Sequence, residues 1–342
     1  MKILQIITLC ELGGAQSVVV NLANELCKEH EVIVAAGEGD GKMWTMLDSS
    51  IKQERCKYLK RALSPINDLH TIFTFWQLYN KYKPDIIHLH SSKAGMLGRI
   101  AFPSKKVVYT VHGFDSIRLA YRKFLPIERF MQKACKAIIG VSNYDYKNMI
   151  SEKITNNLHT IYNGIKEVKQ GNTDLLSNLK KKKRILCIAR VAKPKRLDIF
   201  IETAKLLPEY DFIWIGNQET IKNHPINTHF LGNIPNAAIY NKQVDLFMLS
   251  SDFEGLPMVI IEAMSCSLPI VASNVGGISE IVRNNENGYI VENNPTLFAE
   301  KIQMILNDST LYNTFAAKSY QIFKNELTVK KMVDAYIEIY KK

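Results

Sequence analysis

The chain has 342 residues, 46 % of them apolar and 23 % charged, with a formal net charge of +11. That length is about twice a usual single domain, so two cores are expected, each large enough to bury a proper interior. No apolar run approaches the roughly 18 residues needed to span a membrane, and no helix-turn-helix, zinc or RNA-binding pattern accompanies the basic excess, so nucleic acid is not the expected partner.

Residues 2–8 are apolar but interrupted by Gln5 and Thr8, and Glu11-Leu12-Gly13-Gly14 follows where a cleavage region would stand. This is a first strand and not a signal peptide. Gly13-Gly14-Ala15-Gln16 then opens a helix through Val18-Val19-Val20. Paired glycines at a strand-to-helix turn allow close backbone approach, and the helix start offers free amides, although the G-x-G-x-x-G fingerprint is absent. Further strands are expected at 31–36, 86–90, 106–111, 137–142 and 159–162, alternating with helix-length amphipathic segments. Such alternation predicts a parallel sheet with helices on both faces. His112-Gly113 places an imidazole at the end of one of these strands. A lone histidine is more often structural, but the glycine beside it leaves room for a ligand. The stretch 118–133 mixes Arg118, Arg122, Lys123, Arg129 and Lys133 with aromatic and aliphatic residues. A helix of that composition suits an anionic membrane surface, and equally a solvated basic face.

Tyr162-Asn163-Gly164 marks a boundary, followed by a polar segment at 166–178 and the run Lys180-Lys181-Lys182-Lys183-Arg184, an exposed lead into a strand. A second alternating series follows, with strands at 185–188, 212–215, 228–231, 246–249, 270–272 and 288–291. The expected fold is therefore α/β: two doubly wound, Rossmann-like domains, 1–165 and 166–328, whose strand carboxyl ends face a cleft. Segment 329–342 has an amphipathic helical pattern. The six cysteines include no C-x-x-C pair and sit mostly in apolar runs, as buried reduced thiols of a cytoplasmic protein would.

The segment 244–277 carries the most chemistry. An apolar strand runs into Asp252-Phe253-Glu254-Gly255-Leu256-Pro257 and then a helix holding Glu262. Pro257 fits the first helical position, Gly255 lets backbone approach closely, and the orphan amides of the first turn favour an anion such as a diphosphate. Glu254 in the loop can accept hydrogen bonds from hydroxyls. A helical glutamate is most often solvated, but Glu262 interrupts Val259-Ile260-Ile261 and Ala263-Met264, where an unpaired carboxylate costs several kcal/mol, roughly, unless something such as a ribose diol bonds it. Upstream, Arg190 and Lys195-Arg196 follow the strand at 185–188, a pairing suited to holding phosphate oxygens. Neither a D-x-D pattern nor a His/Cys cluster at metal spacing occurs, so no dedicated metal is expected.

Taken together, Gly13-Gly14-Ala15-Gln16, His112, Ser142, Asn163-Gly164, Arg190 with Lys195, Glu254-Gly255-Leu256-Pro257 with Glu262, and Gly276-Gly277 resemble glycosyltransferase family 4, of GT-B fold. The resemblance runs over nearly the full length, and the eight-residue Glu–Glu spacing is its specific part. It implies transfer of a sugar from a nucleotide-diphosphate donor of UDP or GDP type, with retention of configuration and with no metal or other cofactor. It implies that Arg190 and Lys195 grip the diphosphate, that Glu262 holds the ribose hydroxyls, and that Glu254, with the stretch Gly255-Leu256-Pro257 and the free amides that follow Glu254, holds the donor sugar. Gly14 would let the first helix approach the phosphates, His112 would face the sugar, the backbone near Asn233 and Ile234 would hold the base, and the final helix would pack back on the first domain. Arg196 stands where a glycine commonly follows the lysine, and Gly216-Asn217-Gln218 replaces a more frequent G-x-G turn. The acceptor suggested is a lipid-linked glycan in surface polysaccharide, O-antigen or capsule assembly, reached by a cytoplasmic protein peripheral to the inner face of the membrane. Two alternatives stay open: a GT-B enzyme such as a sugar-nucleotide epimerase that needs no acceptor, and a catalytically silent nucleotide-sugar-binding partner.

Overall fold

The computed structural model describes residues 1–169, 171, 176, 179 and 183–342. Lys180, Lys181 and Lys182 of the basic run, with most of the polar segment before them, lie outside the described residues. The chain divides into unit 1, Met1–Ile165 with Val329–Lys342, and unit 2, Lys166–Thr328.

Unit 1 is built on seven parallel strands: β1 (Lys2–Leu9), β2 (Glu31–Glu38), β3 (Lys52–Arg55), β4 (Ile86–His90), β5 (Val107–Val111), β6 (Ala137–Gly140) and β7 (Leu158–Thr160), in the order β3-β2-β1-β4-β5-β6-β7. The central strands read as nearly continuous apolar runs because helices cover both faces. Helix α1 (Gly14–Leu26) follows β1, while α2 (Pro65–Tyr82), α3 (Ser92–Ala101), α4 (Leu125–Met131) and α5 (Asn143–Ser151) link the strands from β3 to β7. Leftward links from β1 to β3 and rightward links from β3 to β7, each right-handed, put α1 on one face and α2 to α5 on the other.

Two elements of unit 1 depart from the sequence reading. Strand β3 was not expected, because Lys52-Gln53-Glu54-Arg55 contains no apolar residue. It is an edge strand whose backbone pairs with β2 on one side only, and charged side chains are what protect such an edge from further pairing. The stretch 118–133 is not one helix. A π turn (Ser116–Ala120) and a 3₁₀ turn (Arg122–Phe124) precede the short α4, which restarts around Pro126. Its cations are also partly neutralised within the fold: Arg118 pairs with Asp115, and Arg122 and Arg129 both reach Glu152.

Among the described residues unit 2 holds six parallel strands: β8 (Arg184–Ile188), β9 (Asp211–Ile215), β10 (Thr228–Phe230), β11 (Leu246–Leu249), β12 (Ile270–Ser273) and β13 (Gly288–Val291), in the order β10-β9-β8-β11-β12-β13. Helices α6 (Leu197–Leu206), α7 (Met258–Ser265), α8 (Ile278–Ile281), α9 (Pro295–Asn307) and α10 (Ser309–Glu326) cover it. Its core is aromatic on one side, where Phe200 meets Trp214 edge-on at 5.1 Å between ring centroids.

Helix α11 (Val329–Lys341) then belongs to unit 1, packed on α1 with Met332, Val333, Tyr336 and Tyr340 buried. Its two buried phenols find partners on the sheet. The Tyr336 hydroxyl lies 3.0 Å from Thr110 Oγ1, and the Tyr340 hydroxyl 2.7 Å from His88 Nδ1. All six cysteines are free thiols; Cys27 and Cys266 are part-exposed, unlike the buried thiols expected. Among the described residues, no helix is long and apolar enough to cross a membrane.

Docking of α11 is checked through Tyr336. Tyr336→Phe loses one buried hydrogen bond while Thr110 keeps its His88 partner, so it is expected to destabilise by about 1 kcal/mol in urea unfolding. Tyr336→Ala also opens a cavity and is expected to lose about 3–5 kcal/mol. Equal losses in the two variants would mean that the ring does not pack as described.

Candidate functional site

In each sheet the strand order reverses once, between β1 and β4 in unit 1 and between β8 and β11 in unit 2. Connections leaving two such strands diverge to opposite faces and open a crevice beyond their carboxyl ends, where ligands of open α/β sheets bind. In unit 2 those connections carry Arg190, Lys195 and Glu254.

Arg190 lies two residues past β8 and is exposed. Lys195 ends a short 3₁₀ turn (Lys193–Lys195), and its ammonium donates to Glu254 Oε1, forming an ion pair between the two connections. The Ser251 hydroxyl donates to the same carboxylate oxygen at 2.7 Å. The loop bearing Glu254 is fixed from neighbouring strands. Ser273 at the end of β12 accepts from the Ser251 amide at 2.8 Å, and Asn293, just past β13, donates to the Ser251 carbonyl at 2.8 Å and accepts from Ser273 at 2.6 Å. Gly276 has a φ of 58°, and a Cβ there would stand 1.9 Å from the Glu254 carbonyl oxygen. The next amide, Gly277, donates to Gly255 at 2.8 Å. These contacts are the local reason for glycine at position 276.

Leu256 and Pro257 are buried, and Pro257 is the residue capping α7, one position earlier than the first helical position expected. Glu262 is the fifth residue of α7, part-exposed among neighbours that are wholly buried. Burial pushes its carboxyl up to about 7, and among the described residues no hydrogen bond lowers it again. Asn233 is exposed and Ile234 part-buried in the loop after β10. That loop is tied to the exit of β9, where Gly216 donates to the Gly232 carbonyl and Gly232 to Asn217 Oδ1, both at 2.8 Å. Arg196 adopts a φ of 41°, a left-handed conformation that costs a non-glycine residue about 1–2 kcal/mol, which explains why glycine suits this position. Its guanidinium is held by Asp198 and Asp252.

Unit 1 offers a second constellation at its own reversal point. Gly14 starts α1, and a Cβ built there meets no protein atom within 4 Å, so packing inside the unit does not require glycine at this position. His112 follows β5, and its Nε2 lies 3.0 Å from His90 Nδ1 with the rings stacked. Burial pushes His112 down to about 4 and holds His88 and His90 well below the usual imidazole range, so this cluster is neutral at pH 7. Ser91 takes a φ of 79° and its hydroxyl lies 2.7 Å from that of Thr8, joining β4 to β1. Sequence reasoning missed His90, Ser91, Ser251, Ser273 and Asn293. His88-Leu89-His90 did carry a signal, because two imidazoles two apart in an apolar strand share one face. Isolated serines and an asparagine carry none. No group of three or more His, Cys, Asp or Glu side chains that could hold a metal occurs among the described residues.

Comparison with known proteins adds to this geometry. Residues 12–168 match the family model described as Glycosyltransferase Family 4, and residues 174–322 that described as Glycosyl transferases group 1. The chain is 29 % identical to the UDP-Gal:alpha-D-GlcNAc-diphosphoundecaprenol alpha-1,3-galactosyltransferase of Escherichia coli, over 96 % of this chain and 94 % of that protein. It is 25 % identical to the O-antigen biosynthesis glycosyltransferase WbnH of Escherichia coli, over 98 % and 97 %. Among solved structures, Anabaena Alr3699/HepE in complex with UDP and glucose superposes with a TM-score of 0.85 at 20 % identity, covering the whole of both chains. Matched along both units, and folded as two doubly wound sheets, the chain belongs to the GT-B glycosyltransferases of family 4.

Proposed function

We propose that the chain transfers a sugar, with retention of configuration and without a metal, from a UDP- or GDP-type nucleotide sugar to a lipid-linked glycan during surface-polysaccharide assembly such as O-antigen or capsule. The Lys195–Glu254 ion pair at the reversal point of unit 2 is the observation that carries this reading. A cation bonded to a carboxylate has its charge matched until a stronger anion arrives. A diphosphate is such an anion. It would draw the Lys195 ammonium away and leave Glu254, still oriented by Ser251, to accept hydrogen bonds from sugar hydroxyls. As the bond to the glycosidic carbon breaks, negative charge grows on the departing phosphate oxygen, and Lys195, Arg190 and the first-turn amides of α7 would stabilise it.

Glu262 would bond the ribose diol as a carboxylate, with the base near Asn233 and Ile234. Gly14 would admit the phosphates beside α1, and neutral His112 would hydrogen-bond the donor sugar. The leaving oxygen would itself assist attack by the acceptor on the same face. Support for the acceptor class comes from the diphosphoundecaprenol in the name of the Escherichia coli galactosyltransferase. We place the enzyme in the cytoplasm, working at the inner face of the membrane.

Thermal unfolding with UDP, GDP, ADP and CMP tests the donor site. At about 100 times Kd a true ligand adds roughly 2.7 kcal/mol, a shift of a few degrees. One diphosphate is expected to give that shift, and Lys195→Ala and Glu262→Ala to weaken it. Silence with all four nucleotides would remove the donor assignment. In turnover, Lys195→Ala is expected to lower kcat/KM about tenfold or more, a loss of roughly 1.4 kcal/mol or above in transition-state binding. Conversion of a sugar nucleotide with no acceptor present would favour the epimerase reading instead.

Glu262 gives a separate pH test. Its carboxyl titrates near 7 in the fold against an ordinary 4.5, so the folded state holds a proton that the unfolded chain releases. The stability linked to that proton is full below about 4.5 and is lost as pH rises through 7. Glu262→Gln is therefore expected to stabilise ligand-free unit 2 by about 1–2 kcal/mol at pH 8 and to match the parent at pH 4.5. A melting curve unchanged at pH 8 would place the carboxyl in water.

A further inference from the structure

Helix α2 is apolar on two opposed sides. Thr71, Phe75, Leu78 and Tyr82 are buried against the sheet and α3. On the outer side Ile66, Leu69, Phe73 and Trp76, at spacings of three, four and three, form one stripe and are 70 %, 69 %, 55 % and 54 % exposed. A helix covering a sheet in water normally turns polar residues outward. Apolar exposure does not end with α2. Helix α3 packs beside it and α4 beside α3 on the same face, exposing Ile100 and, at 88 %, Phe130. One layer of unit 1 thus exposes large apolar side chains on each of three neighbouring helices, and clustered apolar exposure marks an interaction site.

Charge decides what covers it. The four acids between residues 61 and 136 are all engaged within the fold: Asp68 with Lys93, Asp115 with Arg118, Glu128 with Arg99, and Asp85 with the Lys2 amide. Around the same layer Lys60, Arg61, Lys83, Lys105, Lys123 and Lys133 are exposed and make no ion pair among the described residues. A second copy of the chain packed by two-fold symmetry would set such cations against their own kind, with no acid to answer them. An anionic lipid surface answers all of them and takes up the aromatic and aliphatic side chains as well.

We propose that the α2–α3–α4 layer is a docking face for an anionic bilayer, with the Ile66–Trp76 stripe entering the interface. Because α2 runs antiparallel to the parallel strands it links, Ile66 stands toward the carboxyl end of the sheet, the end that bears Gly14 and His112. The stripe would so hold that end at the level of lipid headgroups. The purpose of this docking rests on the lipid-linked acceptor proposed above, but its detection does not.

The test uses the full chain and vesicles of phosphatidylglycerol mixed with phosphatidylcholine. The protein is expected to float with anionic vesicles and not with phosphatidylcholine alone, and to shift its tryptophan emission to the blue, a shift absent in Trp76→Phe. Leu69→Gln with Phe73→Gln should weaken vesicle binding at least tenfold while leaving the melting temperature and the nucleotide-induced shift unchanged. Retained nucleotide stabilisation separates a failure of docking from a failure of the donor site. Unchanged vesicle affinity in the double variant, or no binding by the parent chain, would overturn the proposal. So would a concentration-dependent dimer that the same substitutions dissolve, since the face would then belong to a second copy.

Discussion

The chemistry of unit 2 depends on one adjacency: β8 lies beside β11, although nearly sixty residues separate Lys195 from Glu254 in sequence. Only where a doubly wound sheet reverses its order do two neighbouring strands send their connections apart, and only there can a cation from one meet a carboxylate from the other with open crevice around them. Everything else in the loop serves to hold Glu254 in that meeting place. Ser273, Asn293 and the close approach of Gly276 come from the two strands on the far side of β11, so four strands together fix one carboxylate. Rigid support of this kind gives a charged group the defined position that binding and catalysis demand.

Much of this was legible in the residues. Buried parallel strands announce themselves as apolar runs, and twelve of the thirteen were placed to within a residue or two. The exception, β3, is informative because its residues have no reason to be apolar: Lys52, Gln53, Glu54 and Arg55 sit on an edge, pair through the backbone with β2 and turn their side chains to polar partners such as Glu31 and Lys81. The 118–133 stretch failed for another reason. Periodicity detects an amphipathic face but not the restart at Pro126, nor that Glu152, more than twenty residues away, neutralises Arg122 and Arg129. Of the site, Lys195, Glu254 and the glycines could be singled out one by one, whereas Ser251 and Asn293 acquire meaning only when the sheet brings them to Glu254.

Two departures from the family pattern now have a physical reading. Arg196 keeps a left-handed backbone that glycine would adopt freely, and holds it with two carboxylates, Asp198 and Asp252. Gln218 stands where the second turn glycine would, and beside it the Asn217 side chain ties the turn down, donating to the Glu219 carbonyl and accepting from the Gly232 amide. In both places polar side chains fix by hydrogen bonding a turn that the family pattern builds with glycine. The outer face of α2 is a departure of a different kind, since nothing inside unit 1 explains it.

The placement of α11 has a consequence for biosynthesis. The segment that supplies Tyr336 and Tyr340 to the first sheet emerges only after the whole of unit 2 has been made. At about 5–20 residues per second, the ribosome needs on the order of ten seconds or more to reach it. During that interval α1 lacks its cover, and Thr110 and His88 face the outer layer without their phenolic partners. Unit 2, continuous in sequence, can complete its core first, so the half of the molecule that begins the chain is the half that finishes folding last.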